Sequence, residues 1–299
     1  MNKIAVIIPT YNRRSYLKTL LKQLQNQNNL GTREVIPVIV IDGSLDGTRE
    51  MLATDFPFVR VLTGPGNWWW TKSVNEGVKY AQATFQPEGL LFLNDDSQVG
   101  PYYVDEILSC FQQAGGNCII GSISITDKAP VRVSFSGVKK INWLALSREH
   151  YYPSFELLET LPKAGLYPTY ALNGRGTFMK LSLFNELGHL NEESFPQYGS
   201  DDDLALRAWK RGQSVLLSYS CRVIDRTGET SSGSAFRRDP AAVFFKSFFC
   251  VHSVNYIPKQ LSFFYRHGIK ILLPFYFVKF LLGTSYAYFL KYKHLKHEL

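Results

Sequence analysis

Apolar positions fall in blocks along this chain, and the period of the blocks changes from one to the next. Residues 4–8, IAVII, form an unbroken apolar run rich in β-branched side chains, the pattern of a strand buried on both faces. In SYLKTLLKQLQNQ, which follows, Tyr16, Leu17, Leu20, Leu21 and Leu24 recur at helical spacing. VIPVIVID predicts a second strand, and DGTREMLATD a helix that Asp46 can cap. VRVLTG predicts a third strand, TKSVNEGVKYAQA a helix with Val74, Val78 and Ala81 on one face, and GLLFLND a fourth strand. Strands alternating with helices through the first hundred residues predict an α/β fold with a mostly parallel sheet flanked by helices. Ligands of such sheets bind beyond the carboxyl ends of the strands. Here those ends carry PTYNR, DGSLDG, GPGNWWW and NDDS.

From residue 119 the pattern changes. CIIGSISI, VRVSFSGV and LYPTYALNGRGTFMK read as strands on longer connections, so a mixed or antiparallel edge is expected. SLFNELGHL reads as a short helix and SVLLSYSCRVID as a strand. Between them, DDDLALRAWKRG reads as a helix with an acidic first turn and a basic last turn, the polarity its dipole favours. Residues 241–290 are crowded with Phe, Tyr and Leu and punctuated by Lys and Arg, and from Lys259 onward only Glu298 is acidic. Pro274 and Lys279 interrupt the longest apolar stretch, so an uncharged span of about 20 residues is missing. The expected arrangement is a helical segment lying in a membrane interface, its aromatics at the acyl boundary and its Lys and Arg at the headgroups. The competing reading is a helical hairpin packed on the domain's own core.

Composition narrows the class. The 299 residues are 45% hydrophobic and 19% charged, enough apolar mass for a sizeable core and too much for disorder. The net charge of +8 favours anionic partners without choosing among them. Cys110, Cys118, Cys221 and Cys250 show no CxxC spacing, so free thiols in a reducing compartment are expected. The N-terminal apolar run is too short for a membrane span and has no small-residue cleavage site after it, so it reads as the first strand of a cytoplasmic protein.

Two acidic clusters carry candidate chemistry. Asn94, Asp95 and Asp96 follow the fourth strand, and adjacent carboxylates repel unless a cation sits between them. Alone they would read as turn and cap residues. At a strand's carboxyl end they suit Mg²⁺ or Mn²⁺ that also ligates a diphosphate. Asp201, Asp202 and Asp203 open a helix, where one or two can serve as caps. Three in a row point in different directions, so one should face the crevice as a base. Asp203 and Arg207, four apart, could pair on the helix surface. The run Trp68–Trp70 offers ring faces for a sugar or base, and Arg175, between two glycines, could reach a phosphate.

These motifs together resemble the inverting glycosyltransferases of family 2, with the GT-A (Rossmann-like) fold, over roughly residues 3–230. VIIPTYNRRSYLKTLLKQL is similar to the family's opening strand and helix. VIVIDGSLDGT resembles its VDDGSxDGT, with Ile41 at the first Asp. FLNDDS occupies the place of its Asp-x-Asp motif, and NWWWTKSVNEGV resembles its Asn- and Gly-containing helix start. The segment from LNGRGTFMK to YGSDDDLALRAWKRG resembles its acceptor side, which ends in Glu-Asp…Leu…Arg.

The resemblance implies roles. Pro9, Tyr11 and Arg13 would line the base and ribose, with Asn67, Lys72 and Asp95 also on the nucleotide. Asp42 would accept from the N3–H of uracil or thymine. Asp96 would ligate the metal, and Asp201 would be the general base. Trp69, Trp70, Asn173, Gly174 and Arg175 would face sugar and acceptor. Three positions depart from the pattern. Ser200 replaces the family's Glu, which leaves Asp202 as an alternative base. Asn94 replaces an acidic ligand, and Asp225 stands where the family often has a His ligand, so Asp225 is a second candidate for the metal. The implied division is a catalytic domain over 1–235, with a nucleotide-binding half (1–100) and an acceptor half (101–235), followed by an interfacial tail over 236–299.

The implied activity is metal-dependent, inverting transfer of a hexosyl or deoxyhexosyl unit from a UDP- or dTDP-sugar. The basic aromatic tail suggests a lipid-linked glycan acceptor at the inner face of a bacterial membrane, as in O-antigen or capsule assembly, by a peripheral enzyme that could form a homo-oligomer. The rival is a non-catalytic nucleotide-sugar-binding or scaffold subunit. Nucleic acid fits poorly, because the basic residues cluster among apolar runs and not in a stripe.

Overall fold

The structure, a computed structural model, describes residues 2–226 and 240–297. Strand β1 (Lys3–Thr10) carries the first apolar run into the middle of a sheet. Then come α1 (Arg14–Gln25), β2 (Glu34–Asp42), α2 (Thr48–Asp55), β3 (Arg60–Gly64), α3 (Trp69–Phe85) and β4 (Gly89–Phe92). β1 pairs in parallel with β2 and β4, and β3 adds outside β2. The alternation expected from the sequence is the order the chain adopts.

The second half supplies β5 (Ser97–Val99), α4 (Tyr103–Gln113), β6 (Cys118–Thr126), β7 (Val133–Phe135), β8 (Val138–Asn142), β9 (Ser147–His150), β10 (Leu166–Pro168), β11 (Thr177–Lys180), α5 (Leu181–Leu187), α6 (Ser200–Lys210) and β12 (Ser214–Asp225). The large sheet runs β10-β12-β6-β11-β4-β1-β2-β3, with β5 on β12 and β7 on β6, while β8 and β9 form a separate hairpin. β10, antiparallel on β12, gives the expected mixed edge, and β11 lies antiparallel inside the sheet between β4 and β6. The stretch 166–180, expected as one strand, is two. Residues 169–176 leave the sheet, and Gly176 turns back into it at φ +77°, in the left-handed region that glycine tolerates.

The parity of β1 divides the core. Ile4, Val6 and Ile8 pack with α1, α2 and α4, while Ala5 and Ile7 pack with α3, α5 and α6. Helix α3 approaches the sheet through Gly77, where a Cβ would come 2.7 Å from Ile7 Cγ2.

The C-terminal segment forms α7 (Pro240–Ser247), α8 (Ile257–His267) and α9 (Leu273–His297). Phe263, Phe264 and Tyr276 are buried with Phe195 and Leu206, so this segment shares a core with α6. Tyr276 donates its hydroxyl to the Trp143 carbonyl in the β8–β9 hairpin at 2.5 Å. The hairpin reading therefore describes its inner face. Its outer face stays apolar and exposed at Phe275, Val278, Leu282, Tyr286 and Phe289. Pro274 does not interrupt α9, because it occupies the second residue of the helix, where no intrahelical N–H bond is needed. Residues Lys270–Leu290 have mean hydropathy 1.3 over 21 residues, enough by length and composition alone to cross a membrane. The division expected between residues 235 and 236 lies outside the described residues.

Candidate active site

The loops after β1 and β4 meet first. Arg13 Nη1 lies 3.2 Å from Asp95 Oδ1 and 2.6 Å from Asp96 Oδ2, so one guanidinium neutralises both carboxylates. Burial still pushes the Asp95 carboxyl up to about 6, with Arg13 opposing it. Asp96 Oδ1 is buried and has no hydrogen-bond partner. Such an orphaned acceptor is costly unless something fills it.

Asp42, at the end of β2, accepts from three backbone N–H groups. Oδ1 accepts from the backbone N–H of Gly66 at 2.7 Å, and Oδ2 from those of Trp68 and Trp69 at 2.8 and 3.1 Å. It therefore pins the loop that starts α3. Trp69 sits at φ +59°, strained for a bulky residue, with its ring edge-on to His252 at 4.1 Å. Trp70 donates its indole N–H to Asn94 Oδ1 at 2.8 Å. Asn94 thus positions an aromatic ring in place of the acidic residue expected there. The same ring covers Gly174, where a Cβ would come within 2.5 Å of Trp70 Cζ2.

The three aspartates of α6 diverge as their spacing requires. Asp201 Oδ2 accepts from the Gly174 N–H at 2.9 Å, beside Trp70. Burial, then the charge of Asp202, push its carboxyl up to about 6. Asp202 pairs with Arg148 of β9 at 2.7 Å. Asp203 turns inward. Its pair with Arg207, expected on the surface, forms at 2.7 Å in the interior and is shared with His267 at 2.8 Å. Ser200, at the position of the family's Glu, is buried with its Oγ 2.9 Å from Thr71 Oγ1, joining the starts of α6 and α3.

The crevice therefore collects Arg13, Asp95, Asp96, Trp70, Gly174 and Asp201 from both halves of the chain. A family model described as Glycosyl transferase family 2 matches residues 5–172, more than half of the sequence. The chain belongs to glycosyl transferase family 2. It is 23% identical over 227 residues to the low-salt glycan biosynthesis hexosyltransferase Agl10 of Haloferax volcanii, covering 75% of this chain and 66% of that protein's length. The fold is shared with GalNAc-T7, solved with UDP, GalNAc and Mn²⁺ (TM-score 0.60, 14% identity, 91% of this chain and 56% of that one). It is also shared with S. aureus TarS (TM-score 0.53, 16% identity, 89% of this chain and 43% of that one). At these identities the solved structures establish a GT-A fold.

For this family 2 glycosyltransferase, the fit of a divalent cation is narrow. Among the described residues no three His, Cys, Asp or Glu side chains gather as a metal site. Asp225, expected as a further ligand, is instead ion-paired with Arg175 and within 3.4 Å of Ser134 Oγ. Among the described residues Asp96 Oδ1 is the one buried carboxylate oxygen without a hydrogen-bond partner, which suits a cation held mainly by substrate oxygens. Arg175 Nε is buried without a hydrogen-bond partner. Asn173 bonds Ser124 Oγ at 2.6 Å, so it holds the 169–176 loop. Pro9 is buried in β1, Tyr11 and Asn67 are exposed on the crevice loops, and Lys72 lies in the first turn of α3.

Arg148, Lys259 and His267 were not singled out in the sequence. Arg148 pairs with Asp202 from 54 positions away, His267 pairs with Asp203 from 64, and Lys259 approaches Asp202 from 57. No local spacing connects them.

Proposed function

We propose that the protein is an inverting, metal-dependent hexosyl- or deoxyhexosyl-transferase using a UDP- or dTDP-sugar. Its acceptor is a lipid-linked glycan at the inner face of a bacterial membrane, in O-antigen or capsule assembly. The observation that carries this reading is Asp201. It is a half-buried carboxylate with an elevated pKa, held by the Gly174 amide and next to the ring that Asn94 fixes at the Asp95–Asp96 corner. Agl10 is named as a hexosyltransferase of low-salt glycan biosynthesis, and GalNAc-T7 was solved with UDP, GalNAc and Mn²⁺. Both support the donor class.

In this reading Asp201 takes the proton of an acceptor hydroxyl. That oxygen attacks the anomeric carbon from the face opposite the diphosphate. The carbon–oxygen bond to the diphosphate breaks, and its electron pair leaves with the nucleoside diphosphate. Trp70 and Trp69 hold the sugar plane, and Arg175 meets phosphate oxygen. A cation on Asp96 would offset charge on the leaving diphosphate. The exposed apolar face of α9, with Lys246, Lys270 and Lys279 on the same segment and no acidic residue from 240 to 297, supports contact with an anionic bilayer.

The test is direct. Purified protein with Mn²⁺ should bind a UDP- or dTDP-sugar in a thermal-shift screen and hydrolyse or transfer it. Absence of both for every donor would refute the reading. Asp201→Asn should lose turnover and keep donor binding, whereas a scaffold subunit would lose nothing.

A further inference from the structure

A cavity of about 410 Å³ lies on the acceptor side of Asp202, between the β8–β9 hairpin, the start of α6 and helices α8 and α9. Its wall is aromatic: Trp143, Phe195, Phe263 and Phe280 face it. Two cations, Arg148 and Lys259, and the carboxylate of Asp202 also line it. Arg148 is engaged by Asp202 and lies over the Phe263 ring at 5.4 Å. Lys259 is different. Its stem runs past Gly199, and its ammonium donates to the Val254 carbonyl at 2.6 Å, but no carboxylate lies within ion-pair distance among the described residues. Burial pulls its pKa down to about 8, against the attraction of Asp202 and Asp201. A half-buried ammonium with unused donors gains from an anion placed beside it.

The cavity is held in shape by the C-terminal segment. Tyr276 bonds the Trp143 carbonyl, and Lys279 bonds the Ala145 carbonyl. Thr284 of α9 stands at one border, on the helix whose outer face is exposed and apolar. Phe280 and Thr284 thus bring into the cavity lining the helix whose outer face is proposed to meet lipid.

We propose that this cavity binds the diphosphate end of a polyprenyl-type lipid carrier, with Lys259 and Arg148 on the diphosphate and the Trp143–Phe263–Phe280 wall on the first apolar units of the chain. The assignment rests on the glycosyltransferase reading, because it places the carrier beside Asp201, where the carrier's glycan would meet the base. The volume falls within the range of small-ligand pockets, roughly 300–1,000 Å³. It suits a diphosphate with a short stretch of chain, the remainder passing along α9. The residues recognise the shared carrier and not the sugar, so acceptors differing in glycan would compete for the same cavity.

Farnesyl diphosphate is the probe, titrated calorimetrically into the full chain beside farnesol, inorganic diphosphate and phosphatidylglycerol vesicles. Farnesyl diphosphate should bind, with farnesol and inorganic diphosphate each at least roughly tenfold weaker, because each loses half of the contacts. Lys259→Gln should weaken it by roughly tenfold while Lys259→Arg retains it. Thr284→Trp, which fills the border without removing charge, should abolish it. UDP affinity should be unchanged in all three variants. The assignment is overturned if Lys259→Gln binds like the parent, if UDP displaces farnesyl diphosphate, or if the vesicles compete as well as it does. Farnesyl diphosphate bound through Lys259 in a chain that binds no nucleotide-sugar would refute the glycosyltransferase reading and keep the cavity. Nucleotide-sugar binding without farnesyl diphosphate binding would do the reverse.

Discussion

His267 Nε2 sits 2.8 Å from Asp203 Oδ1, joining α8 to α6, whose first turn carries Asp201. Arg207 bonds the other oxygen at 2.7 Å, and Asp203 is wholly buried. The segment expected as an interfacial tail is therefore latched to α6, one turn or less from the candidate base. Removing it would uncover Phe195 and Leu206, so point substitutions are the sound way to examine its role.

Breaking that latch should cost stability. Asp203→Ala leaves the half-buried Arg207 without its carboxylate, a loss of about 3–5 kcal/mol for pairs with a buried member, read as a lower urea midpoint. Burial would raise the Asp203 pKa, but bonds from His267 and Arg207 outweigh it and hold the pKa below the ordinary carboxylate value. A carboxylate depressed in the folded state stabilises above its unfolded pKa, about 4, and that contribution disappears as pH falls through the lower folded value. Below pH 4 the parent should lose stability faster than Asp203→Asn.

Turnover should depend on Asp201 in its ionised form. A base works only when deprotonated, so kcat/KM should fall as pH drops through about 6. Asp201→Asn should reduce kcat by about 10²–10⁴-fold and remove that limb of the profile. Asp202→Asn should keep the limb, since Asp202 is occupied by Arg148. A limb that disappears in Asp202→Asn and survives in Asp201→Asn would reverse the assignment.

Cation binding should follow Asp96. Mn²⁺ titration should show Asp96→Asn at least roughly tenfold weaker, and Asp225→Asn within about twofold of the parent, because Asp225 is spent on Arg175. Arg13→Gln should strengthen Mn²⁺ binding, since Arg13 competes for Asp96 Oδ2 at 2.6 Å.

Vesicle contact should depend on the outer face of α9. Leu282 is 66% exposed, so Leu282→Glu should change stability by less than about 0.5 kcal/mol. It should nonetheless sharply reduce flotation with phosphatidylglycerol liposomes and leave donor binding intact. Flotation equal to the parent's would remove the membrane from the proposal.

Much of the site was legible because its parts are local. The strand-then-polar pattern at 4–13, 35–46 and 89–96 places Arg13, Asp42, Asp95 and Asp96 at one edge of the sheet whatever the rest of the chain does. The partners of those residues were not legible. Asp42 meets the amides of a loop 24–27 residues away, and Asn94 meets an indole 24 residues back. Hydrogen-bond direction has no signature in spacing.

The amino-acid sequence alone determined the alternating α/β order, the crevice at the strand ends and the family, because periodicity and short motifs report local backbone and side-chain preference. Only the tertiary structure decided which of three consecutive aspartates faces Gly174, which meets Arg148 and which is buried with His267. It also decided that the aromatic tail packs one face on α6 and leaves the other exposed. Those choices depend on which distant surfaces meet, and burial of Phe263, Phe264 and Tyr276 against Phe195 sets that meeting.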